Sequence, residues 1–426
     1  MQPGTLITVD VEKPIAGGRM LARHNGQIVL VSGAIPGERV SARVSRIAKG
    51  VIYADMVEPV APSPDRRASV SDGRCGGNVL SHVSPERQVR LKGEILEDAF
   101  RRVARLPLGA VPEVVASPEL GYRMRARFHV RGDQVGFLRE ASHELCDAEA
   151  TGQLLPETVA WIRLAAETLR REKLRGLQSI EIAENIPATE RAGHLELVQG
   201  EDPTRYEALA AGLIGLSAQP ADAHEPTQLA GRPSVADDLH VVRGDSQATL
   251  HLARDVRAFF QGNRYLLEQL VSHVVGLVPD GPVVDLYAGV GLFGLSLAAL
   301  GHDTVTLVEG DRSSGASLVS NATPFGAGIQ VQRLSVEHFL RVDRVSRASE
   351  TVIVDPPRTG LSPDALAGVL RRQPSRLVYV SCDVATLARD TRRLVDAGYE
   401  LANLRGFDLF PNTAHVESVA ELVFRT

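Results

Sequence analysis

The sequence predicts an α/β protein in which a small β-barrel and a central α+β region precede a parallel sheet. Three observations support this. Short β-rich runs separated by glycine turns fill residues 5–58. From about residue 251 the pattern becomes strand, glycine turn, helix. The length of 426 residues suits two or three domains. We therefore expect domains over residues 1–58, 59–250 and 251–426.

The barrel is predicted from closely spaced β-rich segments. Glycine and proline turns such as Gly17-Gly18, Gly33 and Pro36-Gly37 separate them. Several strands in so short a span favour a closed barrel. The expected strands cover residues 6–9, 28–31, 40–44 and 53–57.

The central region mixes helical and extended patterns. Apolar residues recur at helical spacing over 85–106 and again over 153–172, whereas 120–138 is strand-like. Residues 217–236 are rich in Ala, Pro and polar side chains, which predicts a loop.

The C-terminal region contains four largely apolar segments. Such segments are typical of parallel strands that are covered on both faces. The segments are residues 283–286, 305–308, 352–354 and 377–380.

The overall composition is that of an ordinary globular protein without a membrane span. Hydrophobic residues make up 44% and mean hydropathy is -0.04. No apolar run is long enough to cross a bilayer. Three cysteines lie far apart in the sequence, so we expect no disulfide framework and a cytoplasmic location.

The net charge of -5 hides an asymmetry along the chain. Residues 1–139 contain 21 Lys and Arg against 14 Asp and Glu, a balance of +7. The remaining residues contain 26 against 38, a balance of -12. A basic N-terminal third on an acidic body suits an RNA-binding region joined to a catalytic domain.

A glycine-rich turn lies between a predicted strand and an Ala/Leu-rich helix. Asp285 precedes the turn, Gly289, Gly291 and Gly294 form it, and Glu309 ends the next strand. Glycines allow backbone to approach a ligand at a helix N-terminus, and a carboxylate at the next strand end can bind ribose hydroxyls. The same spacing also matches a dinucleotide fingerprint, so this turn alone leaves NAD open.

Two features favour S-adenosylmethionine over NAD. Asp285 stands immediately before the turn, as in S-adenosylmethionine binders. Asp355-Pro356-Pro357-Arg358 then forms a rigid turn at the end of another strand, where open α/β sheets bind ligands and where a dehydrogenase has no use for it.

Cys382 and Glu417 supply the groups that methylation of a pyrimidine carbon requires. The C5 carbon of uracil is a poor nucleophile until a group adds to C6. A thiolate can add there. A base must then remove the C5 proton so that the thiol can leave.

Five motifs in this order resemble the RNA 5-methyluridine methyltransferases, and the resemblance covers nearly the whole chain. It implies an N-terminal TRAM domain, which is an OB-like barrel, a central domain and a Rossmann-like class I methyltransferase domain. It also implies that the helix near 85–106 packs on the methyltransferase domain. The motifs are Phe259-Phe260-Gln261-Gly262-Asn263, residues 285–291, Asp355-Pro356-Pro357-Arg358-Thr359-Gly360, Ser381-Cys382-Asp383 and Phe410-Pro411-x-Thr413-x-His415-Val416-Glu417.

The resemblance also implies roles for single residues. Cys382 matches the nucleophile and Glu417 the base, while Asp355 and Arg358 would border the flipped uracil. One departure is Leu292, where many members have Asn. The positions that match cofactor contacts are Gln261, Tyr287, Glu309 and Asp355, to which the turn adds Asp285, Gly289 and Gly291.

Many relatives that act on ribosomal RNA carry an iron–sulfur cluster on four cysteines. Here the corresponding positions are Ser69, Cys75, Asn78 and Cys146. Two thiolates with Ser and Asn make a poor cluster site. We therefore predict no metal and a loop held by hydrogen bonds.

Together these observations predict an S-adenosylmethionine-dependent RNA uridine-C5 methyltransferase with no obligate protein partner. Its substrate would be structured RNA with an unpaired or flipped base, because a paired base cannot reach Cys382. The barrel favours ribosomal RNA over transfer RNA by analogy. The alternatives are a transfer RNA enzyme, a cytosine-C5 enzyme, and a non-catalytic RNA-binding or assembly factor with a vestigial methyltransferase fold.

Overall fold

The computed structural model describes residues 1–69, 72–140, 142–343 and 349–425. The N-terminal strands close into a barrel in the order β1-β2-β3-β5-β4. Four of them match the predicted strands, and β2, which carries Arg23 and His24, was missed. The barrel strands are β1 (Leu6–Pro14), β2 (Met20–His24), β3 (Gln27–Ser32), β4 (Arg39–Ala48) and β5 (Val51–Ala61).

The segment after the barrel joins a distant sheet instead of the central region. Helix α1 (Pro85–Ala99) ends in a π-helical turn, Phe100–Ala104, and is followed by the short strand β6 (Val114–Val115). The buried face of α1 packs in the same apolar core as strands of the C-terminal sheet. The expectation that this helix packs on the C-terminal domain is thus met by its contacts.

The central region is built on a sheet of order β13-β12-β11-β10-β7-β8-β9. One face of this sheet shares an apolar core with α2. A separate hairpin, β14-β15, then leads into the C-terminal region. These elements are β7 (Arg125–Arg131), β8 (Gln134–Leu138), β9 (Leu145–Cys146), α2 (Pro156–Arg171), β10 (Leu177–Glu184), β11 (Arg191–Leu197), β12 (Gly215–Pro220), β13 (Thr227–Gly231), β14 (Ser234–Arg243) and β15 (Ser246–Asp255).

The C-terminal region forms a doubly wound sheet with an antiparallel end. Its order is β18-β17-β16-β19-β20-β22-β21-β6, and the five strands from β18 to β20 are parallel. All four predicted apolar strands are present. The elements are α3 (Leu267–Gly276), β16 (Val283–Leu286), α4 (Gly294–Ala299), β17 (Val305–Val308), α5 (Arg312–Ala322), β18 (Ile329–Gln332), α6 (Val336–Val342), β19 (Thr351–Val354), α7 (Pro363–Arg372), β20 (Arg376–Ser381), α8 (Val384–Asp396), β21 (Tyr399–Phe407) and β22 (Glu417–Phe424).

Residues 217–236 are not the loop that their composition predicts. They contain the end of β12, all of β13 and the start of β14. Strand β12 pairs in parallel with β11, and β13 pairs with β12. Strand β11 lies outside the segment, and the composition of a polar stretch such as β13 does not reveal its pairing with β12.

We expect no disulfide framework from the sequence, and the structure has a single disulfide among its described residues. Cys75 and Cys146 are bonded to each other across 71 positions of sequence. Cys146 belongs to β9, and pairing of β8 with β9 carries it beside the loop that holds Cys75. That loop also has the expected hydrogen bonds, including Gly76 N–H to the Leu138 carbonyl at 2.9 Å. The absence of an iron–sulfur cluster stays a prediction.

Within the described ranges, no helix combines the length and the apolar character needed to span a membrane.

Candidate active site

One pocket gathers eight of the predicted site residues. It has a volume of about 560 Å³ and lies at the edge of the C-terminal sheet where the parallel strands end. The eight residues that line it are Gln261, Tyr287, Gly289, Glu309, Asp355, Arg358, Cys382 and Glu417.

The parallel strands explain why residues far apart in sequence meet there. Strands β16, β17, β19 and β20 are neighbours in the sheet and end at the same edge. Tyr287, Glu309, Asp355 and Cys382 are each the first residue after one of these strands. A functional site at the carboxyl ends of parallel strands is the general arrangement for open α/β sheets.

Glu417 reaches the same edge through an antiparallel strand. β22 pairs with β20, and Ser418 lies opposite Ser381. One residue further along, the same register brings Glu417 beside Cys382. The thiol and the carboxylate are therefore placed together by the sheet.

The electrostatics of this pair depend on burial and on Arg358. Burial raises the pKa of the Cys382 thiol to about 12, and the charge of Glu417 adds to the rise. Burial, with a contribution from Asp355, also raises the pKa of Glu417 well above its ordinary value. The Arg358 guanidinium acts in the opposite direction on both groups, since it favours the thiolate and the carboxylate.

Gln261 and Asp355 are in contact at the centre of the pocket. The Gln261 side-chain amide donates to Asp355 Oδ2 at 3.3 Å. Burial raises the pKa of Asp355, and the hydrogen bond from Gln261 lowers it. The pair presents both a donor and an acceptor to a bound molecule.

Gly289 is suited to close approach of a ligand. Its φ is 58°, and a Cβ added there would have Phe259 O at 3.9 Å as its nearest neighbour. Its N–H donates to Glu309 Oε2 at 2.8 Å, which ties the turn to the end of β17. A cavity of this size with an open backbone wall and an adjacent carboxylate fits S-adenosylmethionine.

Asp285 and Gly291 lie behind the pocket wall. Asp285 is fully buried, and its Oδ2 accepts a hydrogen bond from Gly294 N–H at 2.8 Å. Burial raises the pKa of Asp285 to about 8. A Cβ on Gly291 would meet Leu295 Cδ1 at 2.4 Å. Both residues shape the turn, and a direct cofactor contact from either stays a prediction.

The sequence left several pocket residues without a role. Phe259 and Phe410 belong to two of the motifs and both line the cavity, and Phe259 is 58% exposed. Arg257 and Asp311 also line the cavity and lie outside the motifs. The sequence offers a signal for Asp311, because this residue follows Glu309 by two positions. In the structure its N–H donates to Glu309 Oε1 at 2.6 Å.

In the part of the chain that the structure describes, no group of three or more His, Cys, Asp or Glu residues could hold a metal ion.

Two family models match the chain. The model described as tRNA (Uracil-5-)-methyltransferase matches residues 235–424, and the TRAM domain model matches residues 1–57. The N-terminal barrel is therefore a TRAM domain, as the resemblance implied.

Curated relatives match over nearly the full length. A 23S rRNA (uracil(1939)-C(5))-methyltransferase from Pseudomonas putida is 32% identical over 97% of this chain and 92% of its own length. One of the same name from Methylococcus capsulatus is 33% identical over 98% of this chain and 97% of its own.

A solved structure also matches nearly the whole chain. It is the Pyrococcus abyssi tRNA (uracil-54, C5)-methyltransferase in complex with S-adenosyl-L-homocysteine, with a TM-score of 0.72 and 25% identity. The match covers 97% of this chain and 99% of that one. The chain thus belongs to the RNA uracil-C5 methyltransferases, enzymes that depend on S-adenosylmethionine.

Proposed function

We propose that this enzyme methylates C5 of a uridine in ribosomal RNA, with Cys382 as nucleophile and Glu417 as base. The observation that carries the proposal is the register of β20 and β22, which brings the two residues together at the pocket. The other catalytic and binding roles below are part of the same proposal.

The reaction begins with the Cys382 thiolate. It adds to C6 of the uracil, and this makes C5 nucleophilic toward an electrophilic methyl group, which S-adenosylmethionine supplies when bound. Arg358 favours the thiolate form and borders the base. After methylation Glu417 removes the C5 proton, the C5–C6 double bond re-forms and the bond from C6 to sulfur breaks.

The cofactor would lie along the glycine turn. Glu309 would accept hydrogen bonds from the ribose, while Gly289 would allow the ligand close to the backbone. Gln261, Tyr287 and Asp355 would complete the binding site. Asp285 and Gly291 would support it from behind the wall.

The substrate class is inferred from the relatives. Those at 32% and 33% identity carry a name that specifies 23S ribosomal RNA. The barrel alone does not identify the substrate, because the transfer RNA enzyme from Pyrococcus abyssi aligns with 97% of this chain. Transfer RNA is therefore the second candidate.

The three predicted domains have roles within this proposal. Residues 1–58 and 59–250 would hold the RNA, and 251–426 would carry the chemistry. A cytoplasmic location also belongs to the proposal.

Release of tritium from C5-tritiated uridine tests the chemistry. Ribosomal and transfer RNA are assayed separately, with and without S-adenosylmethionine, using Cys382→Ala as control. We expect release from ribosomal RNA that requires both the cofactor and Cys382. Release from transfer RNA alone would contradict the proposed substrate, and release by Cys382→Ala would contradict the proposed nucleophile.

A further inference from the structure

The connection between β21 and β22, residues 408–416, is held by a segment from far earlier in the chain. This connection places Phe410 in the pocket wall and ends at Glu417. Its main polar contacts come from residues 67–92, which include the start of helix α1.

Asn412 is the centre of these contacts. It is 2% exposed and has a left-handed φ of 64°. Its N–H donates to Gln88 Oε1 at 2.8 Å, and its Oδ1 accepts from Gln88 Nε2 at 2.9 Å. Its carbonyl accepts from Leu80 N–H at 2.8 Å, and Arg67 donates to Oδ1 at 3.1 Å. Gln88 thus holds both the backbone and the side chain of Asn412.

Lys92, one helical turn after Gln88, forms a second anchor. Its side chain is fully buried, and it donates to Asp408 Oδ1 and to the Phe410 carbonyl, the latter at 2.9 Å. The connection is therefore fixed near its beginning by Lys92 and near its middle by Gln88.

We propose that Gln88 and Lys92 are positioning residues that orient Glu417 for removal of the C5 proton. This inference rests on the proposed role of Glu417. Cys382 follows β20, whose place between β19 and β22 is set by the sheet, and it has no link to the connection in the chain. Glu417 is the first residue of β22 and directly follows the connection, so its orientation depends on the connection as well as on the sheet. Loosening the connection should therefore impair proton removal more than formation of the covalent adduct.

Asn412→Gly is the sharpest test. Glycine adopts the left-handed φ without strain, so the substitution removes mainly the hydrogen bonds to Oδ1. We expect tritium release to slow by about 10²-fold, the loss typical of a reacting group displaced by about 1 Å. RNA bound covalently to the protein, which resists SDS, should accumulate at the same time.

Two further variants separate positioning from stability. Asn412→Asp keeps an acceptor oxygen for Gln88 and Arg67, and we expect it to restore most of the release rate. Asp98→Asn weakens a contact at the C-terminal end of α1, where Asp98 forms an ion pair with Lys13 of the barrel at 2.5 Å. It leaves the Asn412 contacts untouched and should not cause adduct to accumulate.

The outcomes distinguish this inference from the proposed function. If Asn412→Gly slows adduct formation and tritium release equally, or changes neither, the positioning role is wrong. Accumulation of adduct in Asp98→Asn would also overturn it, because loss of helix docking alone would then explain the effect. If the unaltered enzyme forms no adduct and releases no tritium, the proposed function itself has failed.

Discussion

At the scale of single residues, the surroundings of Cys382 oppose the ionisation that its proposed reaction requires. The reaction requires a thiolate, yet burial and the neighbouring Glu417 raise the pKa of this thiol to about 12. Arg358 lowers the pKa of Cys382 and so favours the thiolate. Because both Cys382 and Glu417 have raised pKa values, their reactive deprotonated forms increase as pH rises, and kcat/KM should rise between about pH 7 and pH 9.

Replacing Arg358 should make the thiol less reactive. In Arg358→Met the pKa of Cys382 rises further, and the thiolate fraction at fixed pH falls about tenfold for each 1.4 kcal/mol of lost stabilisation. The rate of alkylation by iodoacetamide as a function of pH measures this directly, since the other two cysteines are bonded to each other. Arg392→Met is a suitable control, because Arg392 pairs with Asp396 on the exposed side of α8. Equal alkylation rates in Arg358→Met and the unaltered protein would rule out this role.

Gly289 allows a second test at this scale. Gly289→Ala forces a left-handed φ of 58° on alanine, at a cost of about 1–2 kcal/mol, and puts a methyl group on the pocket wall. We expect at least a tenfold weaker affinity for S-adenosylhomocysteine by calorimetric titration. Gly276→Ala is the matched control, since a Cβ there meets nothing within 4 Å. Unchanged affinity in Gly289→Ala would contradict the proposed binding site.

The sequence could predict these pocket residues because each follows an apolar strand or lies in a recognisable motif. It could not predict the contact between Gln88 and Asn412. Neither residue belongs to a local pattern that specifies a partner, and the two are 324 positions apart. Such contacts follow from the assembled fold.

At the scale of elements, the junction between α1 and the β21–β22 connection contains the buried ion pair of Lys92 and Asp408. Burial lowers the pKa of Lys92 and raises that of Asp408, and their mutual attraction opposes both shifts. Removal of one partner would leave the other charge buried and uncompensated.

Lys92→Met should therefore lower the free energy of unfolding by about 3–5 kcal/mol. The double variant Lys92→Met with Asp408→Leu should recover most of this loss, because no unpaired charge remains buried. Urea unfolding followed by circular dichroism measures both variants. A double variant as unstable as the single one would show that packing, and not the charge, accounts for the loss.

Elements were predicted well where their stabilising pattern is local. The strands β16, β17, β19 and β20 are predictable because burial on both faces requires a largely apolar run. Strand β6 has two residues, and β13 lies in a polar segment. Strand β6 pairs with the distant β21 and β13 pairs with the nearby β12, and composition encodes neither contact.

At the scale of the whole molecule, the Cys75–Cys146 bond closes a loop of about 71 residues. In the chain-entropy account such a bond destabilises the unfolded state, typically by 2–4 kcal/mol. The variant Cys75→Ser with Cys146→Ser should lose stability of this size in urea unfolding while it keeps Cys382. If dithiothreitol lowers the stability of the unaltered protein but not of the variant, the effect belongs to the bond.

The placement of β6 has a consequence for biosynthesis. Val114 and Val115 pair in parallel with Gly406 and Phe407 and cover the edge of the C-terminal sheet. The ribosome completes α1 and β6 almost 300 residues before β21. The apolar face of α1 therefore lacks its partner strands for most of the time of translation. Since pairing over such distances in sequence slows folding, the last step of maturation should be the docking of this early segment on the finished C-terminal sheet. A polypeptide truncated before β21 would present that face permanently to chaperones and proteases.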